Sequence, residues 1–346
     1  MTSPWTAADV PDQTGRTIVI TGATSGLGLA SAHVLAGAGA RVLLAARNPE
    51  KAARARDEVA AGATGPAPEV VALDLTDLGS VRAAAAAIAE RVDALDVLMN
   101  NAGIMAPPLG RTAQGFEAQL GTNHFGHFAL TGLLLPQLRA ATAARVVTTS
   151  SGAHKAGRMR WHDLNWQHGY RRWLAYGQSK LANLLFAFEL DRRSGAHGAA
   201  IVSVAAHPGY AATHLQAAAP EASGRKLTAR FMELGNRILA QSAEDGALPQ
   251  LYAATMPDVV GGEYFGPDRL SELRGAPVRV KGTRRANDTA DAGRLWDVSE
   301  RLTGVSFDWG DGPDDDGATA NWAASEPDAA EALAADEDAP GGAPAL

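Results

Sequence analysis

Tyr176 and Lys180 are the residues of this chain whose types and spacing most directly suggest chemistry. Four residues apart on a helix, they lie one turn from each other on the same face. A free phenol has a pKa near ~10 and transfers protons poorly at neutral pH unless nearby positive charge favours the phenolate. Tyr176 is therefore a candidate proton donor, and Lys180 is the cation expected to lower its pKa. The same pair also occurs on ordinary exposed helix faces, so it does not decide the function alone.

A glycine-rich turn follows the β-branched run that ends at Ile20. Glycines at 22, 26 and 28 let backbone N–H groups approach a dinucleotide pyrophosphate, and the N-terminus of the helix that follows favours its charge. A bare turn of this kind can also be only a tight connection between a strand and a helix. The candidate cofactor contacts in the turn are Thr21, Gly22, Thr24, Ser25, Gly26, Leu27 and Gly28.

Small and polar residues follow three later strand-like segments. Asn101, Ala102 and Gly103 come after the first of them, Ser150 and Ser151 after the second, and the His207-Pro208-Gly209 turn after the third. The carboxyl ends of parallel strands meet at one edge of an open sheet, which is where such sheets bind ligands. Successive strand residues point to opposite faces, so only one of the two serines can meet Tyr176.

Strand-like and helix-like segments alternate along nearly the whole chain. We predict strands near 16–21, 41–45, 69–73, 95–99, 145–149, 200–204 and 262–265, and helices near 26–38, 49–61, 77–91, 114–138, 174–195 and 243–254. This alternation predicts the α/β class, with a parallel seven-stranded sheet, doubly wound, that has helices on both faces. A single domain at 14–309 would follow an N-terminal extension at 1–13.

Composition narrows the classes of protein. A chain of 346 residues with 46% hydrophobic residues can bury a large core. The absence of cysteine excludes disulfides, thiolate zinc sites and a cysteine nucleophile. The N-terminus lacks a basic region followed by an apolar core, and no apolar run approaches the ~18 residues of a membrane span. We expect a soluble cytoplasmic protein with no membrane partner.

Charge is concentrated at the C-terminus. Ten acidic residues and no basic ones lie from Gly310 onward, so the body before them has a net charge of +3 and the formal −7 of the chain comes from this tail. A domain in which basic and acidic residues nearly balance is not typical of proteins that bind nucleic acids. The tail at 310–346 is poor in large apolar residues and is predicted to be disordered. A partner-binding tail remains an alternative to a plain solubilising extension.

Over residues 14–305 the sequence resembles the short-chain dehydrogenase/reductase family, of the classical type. It is most similar to the branch that contains retinol dehydrogenases, oxidoreductases with WW domains and the light-dependent protochlorophyllide reductases. The stretches that carry this likeness are 44–48, 123–128, 175–183 and 295–304. The resemblance implies a Rossmann-type fold and a nicotinamide cofactor. A protochlorophyllide reductase is disfavoured because that group relies on a cysteine.

The resemblance also implies roles for individual residues. The catalytic set would be Asn123, Ser151, Tyr176 and Lys180. Ser151 would hold the substrate oxygen, since the catalytic serine of the family is generally the second of such a pair. Asn123 would complete a proton relay through water to Lys180, which with Tyr176 would also contact the cofactor. Pro208, Gly209 and Thr213 resemble the loop that touches the nicotinamide carboxamide and the diphosphate.

The gap between Ser151 and Tyr176 is longer than is usual in the family but typical of this branch. The inserted piece is unusually aromatic, and we expect it to rim the substrate pocket. Its aromatic and imidazole side chains are Trp161, His162, Trp166, His168, Tyr170 and Trp173.

The end of the second strand bears on the choice of cofactor. Folds that select NAD place an acid there for the ribose 2′-hydroxyl, whereas this chain has Ala46 followed by Arg47, which suits a 2′-phosphate. NADP(H) is therefore favoured over NAD(H). Asp74, next to Leu75, resembles the family aspartate that contacts the adenine amino group, although it could instead cap the following helix.

The expected function is that of an NADP(H)-dependent alcohol dehydrogenase or carbonyl reductase acting on a small apolar substrate. Residues 210–245 would form the substrate lid. A homo-oligomer remains an alternative to a monomer. The alternative is a non-catalytic, NADP-sensing binding protein on the same fold. No metal is predicted, because His124 and His127 lack a carboxylate at ligand spacing.

Overall fold

The computed structural model describes residues 4–210 and 241–310, and one sheet runs through the centre of this part of the chain. The strands in chain order are β1 (Thr17–Thr21), β2 (Arg41–Ala46), β3 (Glu69–Ala72), β4 (Val97–Asn100), β5 (Ala144–Thr149), β6 (Ile201–Ala206), β7 (Tyr264–Arg269) and β8 (Arg274–Val280). Their order in space is β3-β2-β1-β4-β5-β6-β7-β8. All neighbouring pairs are parallel except β7 and β8, which are antiparallel.

The α/β class and the seven predicted strands are confirmed, but the described part of the sheet has eight strands. The prediction of seven parallel strands missed β8, which forms a hairpin with β7 at the edge of the sheet. Pro267 of β7 lies opposite Pro277 of β8. Pro277 is tolerated because β8 is an edge strand, one side of which makes no ladder hydrogen bonds, and Pro267 lies beyond the two residues of β7 that pair with β6. Prolines and charges interrupt the apolar alternation by which a strand is recognised in a sequence.

The helices cover both faces of the sheet, as predicted. They are α1 (Gly26–Gly37), α2 (Pro49–Ala60), α3 (Leu78–Ala89), α4 (Ala118–Leu120), α5 (Gly126–Leu133), α6 (Leu135–Ala140), α7 (Arg172–Ala196), α8 (Ala243–Thr255) and α9 (Thr289–Thr303). Alternation along β1 builds two cores: Val19 joins one apolar cluster, while Ile18 and Ile20 join the other. Both faces of the sheet are therefore buried, as a parallel sheet requires.

The long helix predicted at 114–138 is instead interrupted. Between α4 and α5 the residues Gly121–Phe125 form one turn of π-helix, and α5 is separated from α6 at Leu134. A π-turn shifts the direction in which side chains project and is frequent at functional sites. Asn123, one of the predicted catalytic residues, lies in this turn.

The helix α9 was not predicted. Asp288 caps its N-terminus by accepting from two backbone N–H groups, and Gly304 ends it in the left-handed conformation at φ 60°. Trp296 of α9 stacks on Phe186 of α7 with ring centroids 6.0 Å apart. The chain continues past α9 to Trp309, which stacks on His197 at 5.1 Å and is buried. The C-terminal part of the described chain therefore covers the outer side of α7.

The predicted N-terminal extension packs against the body from residue 4 onward. Trp5 meets Tyr252 of α8 edge-to-face at 5.3 Å, and the N–H of Gln13 donates to the carbonyl of Ala38. Most of the predicted lid and the predicted acidic tail beyond Gly310 lie outside the described residues. Among the helices of residues 4–210 and 241–310, none has the length and apolar character needed to cross a membrane.

Candidate active site

The glycine turn and the segment after β4 meet where the sheet changes its winding direction. β1 and β4 are neighbours in the sheet although β2 and β3 come between them in sequence. Gly22 has φ 67°, and a Cβ there would lie 2.9 Å from the Cβ of Ala102. A Cβ on Gly28 would lie 2.6 Å from Nδ2 of Asn101. Only glycine fits at these two positions, so the turn is packed tightly enough for its backbone to approach a ligand.

Thr21 supports this turn from below. Its hydroxyl accepts from the N–H groups of Asn101 and Ala102, both at 3.0 Å, and its side chain is fully buried. The hydroxyl of Thr21, a predicted cofactor contact, is therefore enclosed by protein, and a contact of this residue with the cofactor stays a prediction. By contrast, Ser25 is exposed just before α1 and makes no capping hydrogen bond with its hydroxyl.

The other predicted residues of the turn differ in exposure. Gly22, Thr24 and Gly26 are half-buried, whereas Leu27 and Gly28 are buried. Contacts with a bound cofactor are therefore available from the half-buried residues and from Ser25, while Leu27 and Gly28 pack the turn against the sheet.

Lys180 of α7 is buried beneath Tyr176. Its Nζ lies 5.8 Å from the centroid of the Tyr176 ring and donates to the carbonyl of Thr149 at 3.0 Å. Nδ2 of Asn183 donates to the same carbonyl at 2.9 Å. Burial lowers the pKa of Lys180 to about 8, because an ammonium group loses solvation in the protein interior. The described part of the active site thus holds a cation, largely protonated at neutral pH, next to the phenol.

Burial also acts on Tyr176, in the direction opposite to our prediction. Loss of solvation raises the pKa of its phenol, while a hydrogen bond with Ser151 acts against this increase. We predicted a lowered pKa from the proximity of Lys180. Burial makes the largest contribution to the pKa of Tyr176, and a sequence does not reveal how deeply a ring is buried. The neutral phenol is therefore the favoured form at neutral pH.

The two adjacent serines point in different directions. Ser151 lies close enough to Tyr176 to lower the pKa of its phenol, and the Oγ of Ser151 accepts from the N–H of Ala153 at 3.2 Å. Ser150 is buried, and its Oγ donates to the carbonyl of Lys180 at 2.8 Å. The structure thus brings Ser151, and not Ser150, to the phenol of Tyr176.

Asn123 is tied to the chain that follows β4. Its Oδ1 accepts from the N–H of Ile104 at 2.8 Å, and its Nδ2 donates to the carbonyl of Ile104 at 3.0 Å and to Oγ of Ser179 at 2.9 Å. A Cβ on Gly103 would lie 3.1 Å from Oδ1 of Asn123 and 3.5 Å from Nζ of Lys180. The amide of Asn123, placed by the π-turn, and the ammonium of Lys180, placed by α7, therefore both lie close to Gly103.

His127 is a residue of the site that the sequence analysis considered only as a metal ligand. Its Nδ1 donates to the backbone carbonyl of Asn123 at 3.0 Å, and its Nε2 lies 2.9 Å from Oγ1 of Thr21. Burial lowers its pKa to about 4, so the ring is neutral. His127 thus connects the π-turn to the glycine turn. Its spacing from Asn123, one helical turn along, is the signal that could have indicated this role.

His124 points away from His127 and contacts Ser299 of α9 through Nε2 at 2.8 Å. Across residues 4–210 and 241–310, no group of three or more potential ligands is arranged to hold a metal ion.

Arg47 and Asp74 form an ion pair at the end of β2. Nη1 of Arg47 lies 3.9 Å from Oδ2 of Asp74, and the arginine side chain is 72% exposed. Asp74 accepts through Oδ1 from both the N–H and the hydroxyl of Thr76. The alternative that Asp74 caps α3 is wrong, because Asp77 does so by accepting from Gly79. Leu75, the neighbour of Asp74, is buried.

The predicted nicotinamide loop follows β6. Pro208 and Gly209 are half-buried there, and Gly209 has φ 67°. Thr213, which was predicted to belong to the same loop, lies outside the described residues.

Of the aromatic insertion, one ring lies beside the predicted catalytic tyrosine. Trp173 is 55% exposed and meets the ring of Tyr176 edge-to-face at 6.3 Å. Trp161 instead donates to Asp291 of α9 at 3.0 Å, and Trp166 is buried beneath the guanidinium of Arg160. The expectation that the whole insertion rims the pocket is therefore wrong for these two tryptophans. Trp161 attaches the insertion to α9, and Trp166 packs within the insertion.

Comparison with known proteins agrees with this arrangement. A family model for the short chain dehydrogenases matches residues 16–224. Retinol dehydrogenase 14 of Mus musculus is 39% identical over 308 residues, which cover 84% of this chain and 86% of the mouse protein. The solved structure of an uncharacterized protein from Mycobacterium paratuberculosis has 45% identity and a TM-score of 0.72, and covers 88% of this chain and 99% of that chain.

A further solved structure is that of a "putative NAD(P) dependent gluconate 5-dehydrogenase" from Beutenbergia cavernae, with NADP bound at low occupancy. It has 30% identity and a TM-score of 0.56, and covers 73% of this chain and 96% of that chain.

The chain therefore belongs to the short-chain dehydrogenase/reductase family, as the sequence motifs predicted, and it is an oxidoreductase of that family. Within the family it is of the retinol dehydrogenase-like type. Members of the family use NAD(P)(H) as the cofactor.

Proposed function

We propose that this protein is an NADP(H)-dependent oxidoreductase that interconverts an apolar alcohol with its aldehyde or ketone, with Tyr176 as the general acid and base. One observation carries the proposal. Ser151 and Tyr176 interact next to a buried ammonium, that of Lys180, at the same sheet edge as the glycine turn. These are a proton donor, a polar group for a carbonyl oxygen and a cation, which carbonyl reduction requires beside a hydride source.

The described residues fit a dinucleotide. The absence of side chains at Gly22 and Gly28 leaves a tight turn at the N-terminus of α1, where backbone N–H groups favour a pyrophosphate. Ser25 adds an exposed hydroxyl that makes no capping hydrogen bond within the protein. When bound, the nicotinamide supplies or accepts the hydride.

The proton follows from the protonation states of the side chains. Burial keeps the phenol of Tyr176 protonated at neutral pH, so in the reductive direction it can donate to the carbonyl oxygen held by Ser151. Loss of that proton leaves a phenolate near the ammonium of Lys180. The attraction between them favours the transition state, in which negative charge develops on the tyrosine oxygen. In the oxidative direction the phenolate is the base.

The preference for NADP(H) rests on Arg47. No acidic residue stands at the end of β2, where a carboxylate would repel a 2′-phosphate, and the exposed guanidinium can form a bidentate contact with that group. Asp74 pairs with the same guanidinium at 3.9 Å and neutralises part of its charge. The related Beutenbergia structure contains NADP, which supports the same choice.

The apolar substrate class rests on the surroundings of Tyr176. The exposed ring of Trp173 lies beside that of Tyr176, and a large exposed apolar group beside a reactive centre favours apolar ligands. The related mammalian proteins are named as retinol dehydrogenases, which agrees with this class.

The experiment is a panel of apolar aldehydes, ketones and alcohols, followed by the absorbance of NADPH, with the parent protein and Tyr176→Phe. The variant keeps the ring but lacks the hydroxyl, so we expect turnover to fall by ~10² or more while NADPH affinity changes little. Tight binding of NADPH without turnover on any member of the panel would instead favour the binding-protein alternative. Full activity of Tyr176→Phe would refute the role of the phenol.

A further inference from the structure

The turn between β7 and β8 has a strained backbone. Leu270, Ser271 and Glu272 have φ values of 51°, 55° and 67°, with no glycine among them. Residues other than glycine are uncommon in this left-handed region, and three in succession lower the stability of the fold. Strain of this kind persists where surrounding contacts hold it, and it is concentrated at functional sites. The contacts of Glu272 therefore need an explanation.

The carboxylate of Glu272 lies between two segments of the active site. Its Oε2 is 3.0 Å from Nζ of Lys155 and 3.3 Å from Nε2 of His207. Lys155 belongs to the short 3-10 helix, Gly152–Ala156, which begins directly after Ser151. His207 directly precedes Pro208, where the predicted nicotinamide loop begins. One oxygen atom of the strained turn therefore connects the serine segment to the loop after β6.

On the serine side, the short helix fixes Ser151 at two points. Nδ1 of the fully buried His154 lies 2.7 Å from the carbonyl oxygen of Ser151. Because a carbonyl oxygen only accepts, Nδ1 carries the hydrogen. The N–H of Ala153 donates to the Ser151 hydroxyl. A displacement of this helix would move both the backbone and the hydroxyl of Ser151.

On the loop side, His207 is held in one orientation. Its Nδ1 accepts from the N–H of Gly209 at 3.2 Å, which leaves the hydrogen of a neutral ring on Nε2. That atom lies 3.3 Å from Oε2 of Glu272, without the alignment of a hydrogen bond. A Cβ on Gly266 would overlap this ring, so β7 closes tightly over it. The ring of Tyr264 lies between the two imidazoles, 5.2 Å from His207 and 5.6 Å from His154.

We propose that Glu272 is a positioning residue, which holds Ser151 at a fixed place relative to the loop at Pro208 and Gly209. The strain of the turn is retained because it brings the carboxylate to Lys155 and His207. This inference rests on the proposed role of Ser151 in the reaction. It assigns a function to the hairpin at the sheet edge, which contributes no group to the reacting atoms.

The first test separates positioning from a purely structural role. Glu272→Gly adopts a φ of 67° without strain and removes the carboxylate, so the melting temperature should stay within about 2 °C of the parent value. We expect kcat at saturating NADPH to fall by about 10-fold or more. Glu263→Gln is the matched control, because Glu263 pairs with Arg279 on the same hairpin, and it should leave kcat unchanged. A Glu272→Gly variant with the parent kcat overturns the proposal.

The second test asks whether Glu272 acts through Ser151. Glu272→Gln should lower kcat by about 10-fold in the parent but by less than about twofold in the Ser151→Ala background, because the positioned group is then gone. Equal losses in both backgrounds overturn the proposal. Full activity of Ser151→Ala alone would instead refute the proposed role of the serine, which is a distinct result.

Discussion

Removal of the charge of Lys180 tests how the buried cation assists Tyr176. Lys180→Met keeps the length and the apolar stem of the side chain. It also leaves no buried acceptor unpaired, because Asn183 donates to the same Thr149 carbonyl at 2.9 Å. The packing of α7 should therefore survive, and an effect on the rate can be attributed to the lost ammonium group.

The size of the effect follows from the separation of the two groups. At 5.8 Å, the distance from Nζ to the ring centroid, and an effective dielectric constant of about 20, a phenolate and an ammonium attract by about 3 kcal/mol. If most of that attraction acts in the transition state, its loss slows the reaction by ~10². The pKa of Tyr176, already raised by burial, should increase further because the phenolate loses its nearest cation.

The assay is alcohol oxidation at saturating NADP+, measured from about pH 6 to pH 10. Saturation separates the effect on the rate from any loss of cofactor affinity. In this direction the phenolate is the active form, so the rising limb of the kcat profile should move to higher pH in Lys180→Met. Lys51→Met, a change of an exposed lysine on α2, should leave the profile in place. If the rising limb of the kcat profile does not move in Lys180→Met, or if the kcat of this variant at pH 8 equals that of the parent, the electrostatic role of Lys180 is refuted.

Four further predictions concern the cofactor, the serines, the C-terminus and the pH dependence of stability. NADPH should bind to the parent protein at least about 10-fold more tightly than NADH, a difference of about 1.4 kcal/mol. Arg47→Ala should remove most of this difference. Equal affinities of the parent protein for the two cofactors would contradict the preference for NADP(H). Ser151→Ala should lower turnover far more than Ser150→Ala, and the reverse order would refute the assignment. A chain ending at Gly310 should keep the melting temperature and the activity of the parent protein. Trp309→Ala should instead lower the melting temperature, measured in a thermal scan, by several degrees because a buried ring is lost. Burial lowers the pKa of Lys180 from 10.5 to about 8, so the cost of burying its ammonium is fully present below pH 8 and declines as the pH rises to 10.5. Chemical denaturation should show a parent stability that rises across this window relative to Lys180→Met, and parallel curves would contradict the shift.

Local sequence patterns were sufficient to predict the strands and the glycine turn that surround the candidate active site. The aliphatic runs of β1 and β4 and the glycine turn between β1 and α1 are signals contained in short stretches of sequence. They were enough to predict the fold class correctly. The arrangement of Ser150 and Ser151 followed from the alternation of side chains on a strand. Each of these inferences depends on backbone geometry that neighbouring residues determine.

The features that could not be predicted depend on contacts between distant parts of the chain. The π-turn at Asn123 does not alter the apolar periodicity of the sequence, and one proline and two arginines interrupt the apolar pattern of β8. The direction of the pKa change of Tyr176 depends on how deeply its ring is buried, which a spacing of four residues does not reveal. Glu272 is more than one hundred residues from Ser151 in sequence, and only the hairpin at the sheet edge brings it near.

The packing of α9 on α7 has a consequence for the synthesis of the protein. Phe186 of α7, the helix that bears Tyr176, is covered by Trp296, more than one hundred residues later in the chain. Chains emerge from the ribosome from the N-terminus, at ~5–20 residues per second. The apolar side of the catalytic helix therefore stays uncovered for several seconds, while the strands before it can already pair. We expect nascent chains arrested before α9 to bind hydrophobic dyes and chaperones. This binding should end once α9 has emerged from the ribosome and covers α7.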